Sequence, residues 1–187
     1  MRVSLTRAGV VLAGIGLLLM WTSAVGLKEV GSGSSTTLEV LYAPEDQPAD
    51  RLVALYDGAR QSIFLATYGL TYPPIVKALV AARKRGVDVR IITDRGKLDD
   101  RNQRTALETL RLAGVPIKVN RYEGLMHLKQ AVVDDTANTS GSMNQTSSAA
   151  RYNDERLDIF HDAASTRRAK EKFLKMWADH TRYEDWR

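Results

Sequence analysis

Two rhythms of apolar residues run along this chain. Short stretches in which apolar side chains alternate or cluster predict strands at 38–42, 62–68, 87–93, 115–120, 128–133, 137–140 and 157–160. Between several of these the spacing lengthens to that of a helix. Leu52, Val53, Leu55, Tyr56 and Ala59 mark a helix over 48–60. Pro73-Pro74 opens a second, with Ile75, Val76, Leu79, Val80 and Ala82 inward and Gly86 as its stop. A third covers 102–112, a short one 145–150, and a long one 164–182 with Ala169, Phe173, Met176, Trp177 and His180 on one side. Alternating strands and helices predict an α/β single domain, a mixed β-sheet flanked by helices. A length of 187 residues suits one such core.

The N-terminus follows neither rhythm. Arg2 and Arg7 precede an unbroken apolar run from Ala8 to Trp21 that fades toward Leu27. A basic start, an apolar stretch of about 14 residues and the small residues Ala24-Val25-Gly26 describe an export signal. Counted to Leu27 the run reaches about 20 residues, enough to span a bilayer. Residues 1–26 are therefore expected to be a signal peptide or an uncleaved N-terminal membrane anchor. Either form keeps the arginines inside and places the rest outside the cytoplasm, periplasmic or secreted, with a membrane tether in the second case. Residues 27–37 read as a Gly/Ser-rich linker and 38–187 as the folded domain.

Composition narrows the chemistry. The absence of cysteine excludes a disulfide framework, thiolate catalysis and any zinc site built on Cys. The net charge of +5 is unevenly spread. Residues 77–129 hold thirteen Lys or Arg against six Asp or Glu, whereas 130–187 hold nine against ten. A basic segment of this kind concentrates polyanions, or simply solvates helix surfaces.

That segment leads into the densest cluster of chemistry in the chain. His127 and Lys129 are two residues apart on a predicted strand, so they project to one face with α-carbons roughly 6.6 Å apart. One phosphate diester could sit between an imidazole and an ammonium so placed. Asp134 closes the strand. Gly141-Ser142 makes a turn, and Asn144 stands where the short helix begins, a position whose backbone amides favour an anion. His161 and His180 lie at no ligand spacing to these residues and read as a surface and a packed core histidine respectively; no metal is expected.

The series His127-x-Lys129-x4-Asp134-x6-Gly141-Ser142-x-Asn144 resembles the motif of the phospholipase D superfamily. Tyr42-Ala43-Pro44, the stretches 62–69 and 75–88, and Asn153-Asp154-Glu155 are similar to the small bacterial endonucleases of that superfamily. The resemblance implies a phospholipase D-like fold and a cofactor-free hydrolysis of phosphodiesters. His127 is then the nucleophile, Lys129 and Asn144 hold the phosphate oxygens, Ser142 braces the turn, and Glu155 orients the histidine through its second ring nitrogen. Asp134 belongs to the motif with a role more structural than proton-carrying. The superfamily builds one site from two motif copies and this chain has one, so the resemblance implies a homodimer. Met143 and Gln145 replace residues often aromatic around this turn, which would alter how a base or sugar packs there.

The leading expectation is a metal-independent, non-specific endonuclease acting on DNA, and RNA as a further substrate. Arg95, Lys97 and Arg101, in the polar loop after the third strand, are the expected contacts to the nucleic acid. The alternatives are a phospholipase acting on phospholipid head groups and a weakly active nucleic-acid-binding or uptake module. Fold alone does not separate them.

Overall fold

The computed structural model describes residues 37–187. The expected signal or anchor and the linker ahead of Thr37 lie outside the described residues. The order of elements is β1 (Thr37–Ala43), α1 (Pro48–Gly58), β2 (Ser62–Thr67), α2 (Pro73–Lys84), β3 (Asp88–Thr93), a 3-10 turn (Arg95–Asp99), α3 (Arg101–Leu112), β4 (Ile117–Asn120), β5 (Lys129–Val133), β6 (Ala137–Gly141), α4 (Ser147–Arg151), β7 (Glu155–His161), α5 (Ala163–Ala178) and β8 (Tyr183–Asp185). The strands form one eight-stranded sheet in the order β1-β7-β6-β5-β2-β3-β4-β8. β2, β3 and β4 run parallel, and every other pairing is antiparallel. The mixed sheet flanked by helices matches the sequence expectation.

The middle strands explain the layering. Every residue of β2 is buried, as expected of a strand covered on both faces. Ile63 and Leu65 point into the larger core with Leu52, Tyr56, Leu79 and Leu107 from α1, α2 and α3. Phe64 and Ala66 point the other way, onto Ala169, Phe173 and Met176 of α5. The period of two in a strand thus sorts one apolar run into two cores. Phe64 and Phe173 stack with ring centroids 5.2 Å apart.

Two buried polar residues tie the sheet's C-terminal end together. Gln103 of α3, fully buried, accepts from Leu70 N at 2.7 Å and donates to Thr93 Oγ1 at 3.1 Å. Asp94, 1% exposed, accepts from Gly96 N and, at 2.7 Å, from Met126 N. The first bond joins α3 to the ends of β2 and β3. The second clamps the loop before His127.

The structure corrects several boundaries. The last helix stops at Ala178 instead of continuing to residue 182. Asp179 Oδ1 captures Thr181 N, Thr181 Oγ1 and Arg182 N, a local turn that competes with the helix. The chain then returns as β8 beside β4, which periodicity did not reveal. His180 lies beyond the helix and is exposed, not packed in the core. The short helix begins at Ser147 with Thr146 as its cap, so Asn144 precedes it by more than a residue.

Asp134 makes the contacts of a structural residue, and no bond joins it to the other motif side chains. Asp134 and Asp135 take φ values of 50° and 57° in the hairpin between β5 and β6, where both central residues need positive φ. The Asp134 carboxylate accepts from Arg60 N and Gln61 N at 2.7 Å and from Ser62 N at 2.9 Å. Burial raises its pKa, but the bonds from Ser62, Arg60 and Gln61 together outweigh this and hold it below the ordinary value. It closes the opposite end of β5 from Lys129, roughly 16 Å away at ~3.3 Å per residue. Asp134→Asn keeps the tolerance for positive φ but loses an acceptor and the charge. Chemical denaturation should show a loss of about 1–2 kcal/mol, with activity per folded molecule unchanged. Lost activity in a stable variant would return Asp134 to the site.

Candidate active site

Four strand ends meet at one edge of the sheet. Thr67 of β2 pairs with Lys129 of β5, and Gly141 of β6 pairs with Leu157 of β7. Tyr68, His127, Ser142, Asn144 and Glu155 extend from these ends, so residues far apart in sequence share one surface.

Gly141 makes the turn possible. Its φ is +143°, and a Cβ there would lie 2.1 Å from the Arg156 carbonyl oxygen. Only glycine lets β6 approach β7 so closely. The same carbonyl accepts from Ser142 N at 3.0 Å and Met143 N at 3.4 Å. The Ser142 hydroxyl accepts from Arg156 N at 3.0 Å and donates to Glu155 Oε2. Asn153 Nδ2 donates to the other Glu155 oxygen at 3.1 Å. Glu155 therefore braces the turn through Ser142 and Asn153. Within the chain no hydrogen bond joins it to His127, because the start of β7 sets its carboxylate against the turn.

His127 is exposed and flanked instead by Lys129 and Tyr68. Lys129 Nζ donates to the His127 carbonyl at 3.0 Å and lies 3.1 and 3.2 Å from the two ring nitrogens. The imidazole rests on the Tyr68 ring, centroids 4.7 Å apart and tilted by 59°. Lys129 and Lys97 lie 5.5 and 5.0 Å from the centroid of the same ring, both within cation–π range. Tyr68 is itself fixed, its N donating to Leu128 O and its carbonyl accepting from Thr93 Oγ1. Sequence reasoning counted it only as a strand residue. An aromatic at the end of a central strand, next to a motif strand, was the available signal.

Asn144 lies against Gly69, where a Cβ would meet the Thr146 methyl at 2.9 Å and Asn144 Cβ at 3.5 Å. Its Oδ1 is buried without a hydrogen-bond partner, so the amide's donor end, Nδ2, is the end suited to a phosphate oxygen. Met143 and Gln145 are 2% and 3% exposed. They face the core and cannot pack a base or sugar, contrary to the sequence expectation. Of the three loop cations, Lys97 joins the cluster through Tyr68, while Arg95 and Arg101 are exposed flanking residues.

Burial pushes the Lys129 ammonium below the ordinary lysine value, and the nearby Glu155 charge opposes this only in part. Folding therefore works against the charge that a phosphate site needs. The penalty is present while the amine is charged in both states and disappears as pH rises to 10.5, the ordinary value. Lys129→Met should unfold at a higher temperature than the wild type at neutral pH, with the gap closing as pH approaches that value. A lower Tm for the variant would show that Lys129 stabilises the fold.

Residues 52–177 match the family model described as cardiolipin synthase, PLD-like domain. The mitochondrial cardiolipin hydrolase of Xenopus tropicalis is 31% identical over 135 residues, covering 72% of this chain and 63% of that protein. A phospholipase D of Rickettsia felis is 32% identical over 121 residues, covering 65% and 58%. The chain thus spans less than two thirds of either relative. Among solved structures, Nuc from Salmonella typhimurium, a phospholipase D family member, superposes with a TM-score of 0.75 at 30% identity, covering 81% of this chain and 99% of that one. NucT from Helicobacter pylori superposes with a TM-score of 0.68 at 24% identity, covering 76% of this chain and 96% of that one.

Proposed function

The chain belongs to the phospholipase D superfamily, and on that premise we propose that it is a metal-independent endonuclease hydrolysing DNA, and RNA as a further substrate, at a site shared by two subunits. The observation that carries this reading is the convergence of His127, Lys129 and the Ser142–Asn144 turn on one sheet edge.

In the proposed reaction His127 of one subunit attacks phosphorus, and the bond to the leaving alcohol breaks as the second subunit's copy of that histidine gives it a proton. The same second histidine then takes a proton from water, whose oxygen displaces the first imidazole from phosphorus. Lys129 and Asn144 offer a point charge and a directional donor to the non-bridging oxygens. With two such lysines the charge neutralisation supplied elsewhere by divalent cations is in place.

Pairing is supported by more than the single motif. Leu38, Val40 and Tyr42 are 48%, 39% and 50% exposed on the edge strand β1. Tyr42 pairs in register with Arg156, next to Glu155 and Ser142. An apolar stripe bordering the half-site is the kind of surface a second copy would cover. The N-terminal segment supports a location outside the cytoplasm, periplasmic or secreted, with a tether if it is uncleaved.

Nucleic acid is favoured by the basic segment that leads to the site and by Lys97 beside Tyr68. A second reading, hydrolysis of phospholipid head groups, is favoured by the names of the cardiolipin hydrolase and phospholipase D relatives. Plasmid DNA should be nicked in EDTA by the wild type and not by His127→Ala, a loss of at least about 3–4 kcal/mol in transition-state stabilisation. Cardiolipin vesicles should be turned over far more slowly. Lipid turnover without nicking would select the second reading, and nicking by His127→Ala would refute the mechanism.

A further inference from the structure

A groove of about 880 Å³ runs between α2 and α3, within the ~300–1,000 Å³ that usually holds a small ligand. Val76 and Val80 supply apolar surface, hydroxyls of Thr105, Thr109 and Ser147 line its walls, and Lys77 and Lys97 bring positive charge. Asp100 also lines it, but its Oδ1 accepts from Asn102 N and Gln103 N at the start of α3.

The groove is continuous with the catalytic cluster at two points. Lys97 belongs to its lining and also sits 5.0 Å from the Tyr68 ring that supports His127. Thr146 belongs to its lining and follows Asn144 by two residues. Lys97 and Thr146 thus border both the cluster and the groove.

We propose that this groove seats the sugar–phosphate backbone of a single nucleic-acid strand on one side of the scissile phosphate, with Lys77 holding a neighbouring phosphate. The proposal rests on the nuclease reading of the site. No aromatic residue lines the groove, so it offers no platform for stacking bases. Ammonium and hydroxyl groups bond phosphate and sugar oxygens, which positions a strand without reading its sequence. An acyl chain would leave the Lys77 and Lys97 ammonium groups without a counter-charge, whereas the Thr105 and Thr109 hydroxyls already donate to the Arg101 and Thr105 carbonyls and can still accept. Of the contacts expected at Arg95, Lys97 and Arg101, Lys97 lines the groove and is joined there by Lys77, while Arg95 and Arg101 do not line it.

The test measures binding of a labelled single-stranded oligodeoxynucleotide about 15 nucleotides long by fluorescence anisotropy. Thr109→Trp fills the groove from an exposed helix position, Lys77→Glu reverses its charge, and Lys172→Glu makes the same reversal on α5, across the sheet. The first two variants should each weaken binding about tenfold, and Lys77→Glu should flatten the salt slope by roughly 0.7. Lys172→Glu should change affinity by no more than about twofold. Unchanged affinity in Thr109→Trp, or equal losses in the two charge reversals, would overturn the groove. Turnover of the oligonucleotide and of bis(p-nitrophenyl) phosphate by the wild type is read separately. Failure on both would refute the catalytic reading, while the affinities still decide the groove.

Discussion

The site depends on how closely β6 can approach β7 at Gly141. With no Cβ in the way, the Arg156 carbonyl receives two successive amides of the turn. The Ser142 hydroxyl completes the latch by joining Arg156 N to Glu155. The placement of the turn follows from this contact. Asn144 is carried against Gly69, a second position where a side chain would collide, and β5 and β2 bring the histidine and lysine to the same edge. Substituting either glycine would displace the turn before it touched any reacting group.

A rigid support beneath a charged, exposed surface is the other half of the design. Gln103 and Asp94 are buried polar residues whose bonds pin the ends of β2, β3 and the loop before His127. Their desolvation is compensated only because each accepting oxygen has a donor in place. On that support, Tyr68 carries two ammonium groups and one imidazole on a single ring. Lys129 is held where burial disfavours its charge, a cost that an anionic phosphate would relieve. Stability given up at a site that binds charge is the usual trade.

The fold class and the polar members of the site could be read from the chain because both are local patterns. The apolar run of 62–68 declared a buried strand, and the spacing of His127 and Lys129 declared a shared face. What escaped was non-local. β8 forms only because β4 offers it an edge, and the partners of Asp134 are the amides of Arg60, Gln61 and Ser62, more than seventy residues away at the start of β2. Glu155 was expected at the histidine, and its partners in the turn, Ser142 and Asn153, were set by register and not by sequence spacing. Tyr68 looked like core until the topology set it beneath the histidine. Arg95, Lys97 and Arg101 were indistinguishable as loop cations, and only the fold turns Lys97 toward the site.

In the proposed reaction, the His127, Lys129 and Asn144 of one chain are half of the groups required. Mixing wild-type and His127→Ala subunits under conditions that allow exchange, then measuring DNA cleavage against the wild-type fraction, tests this most directly. If two subunits share one site, activity follows the square of that fraction, because only dimers with both histidines turn over. A strictly linear dependence would mean that a single chain completes the reaction alone.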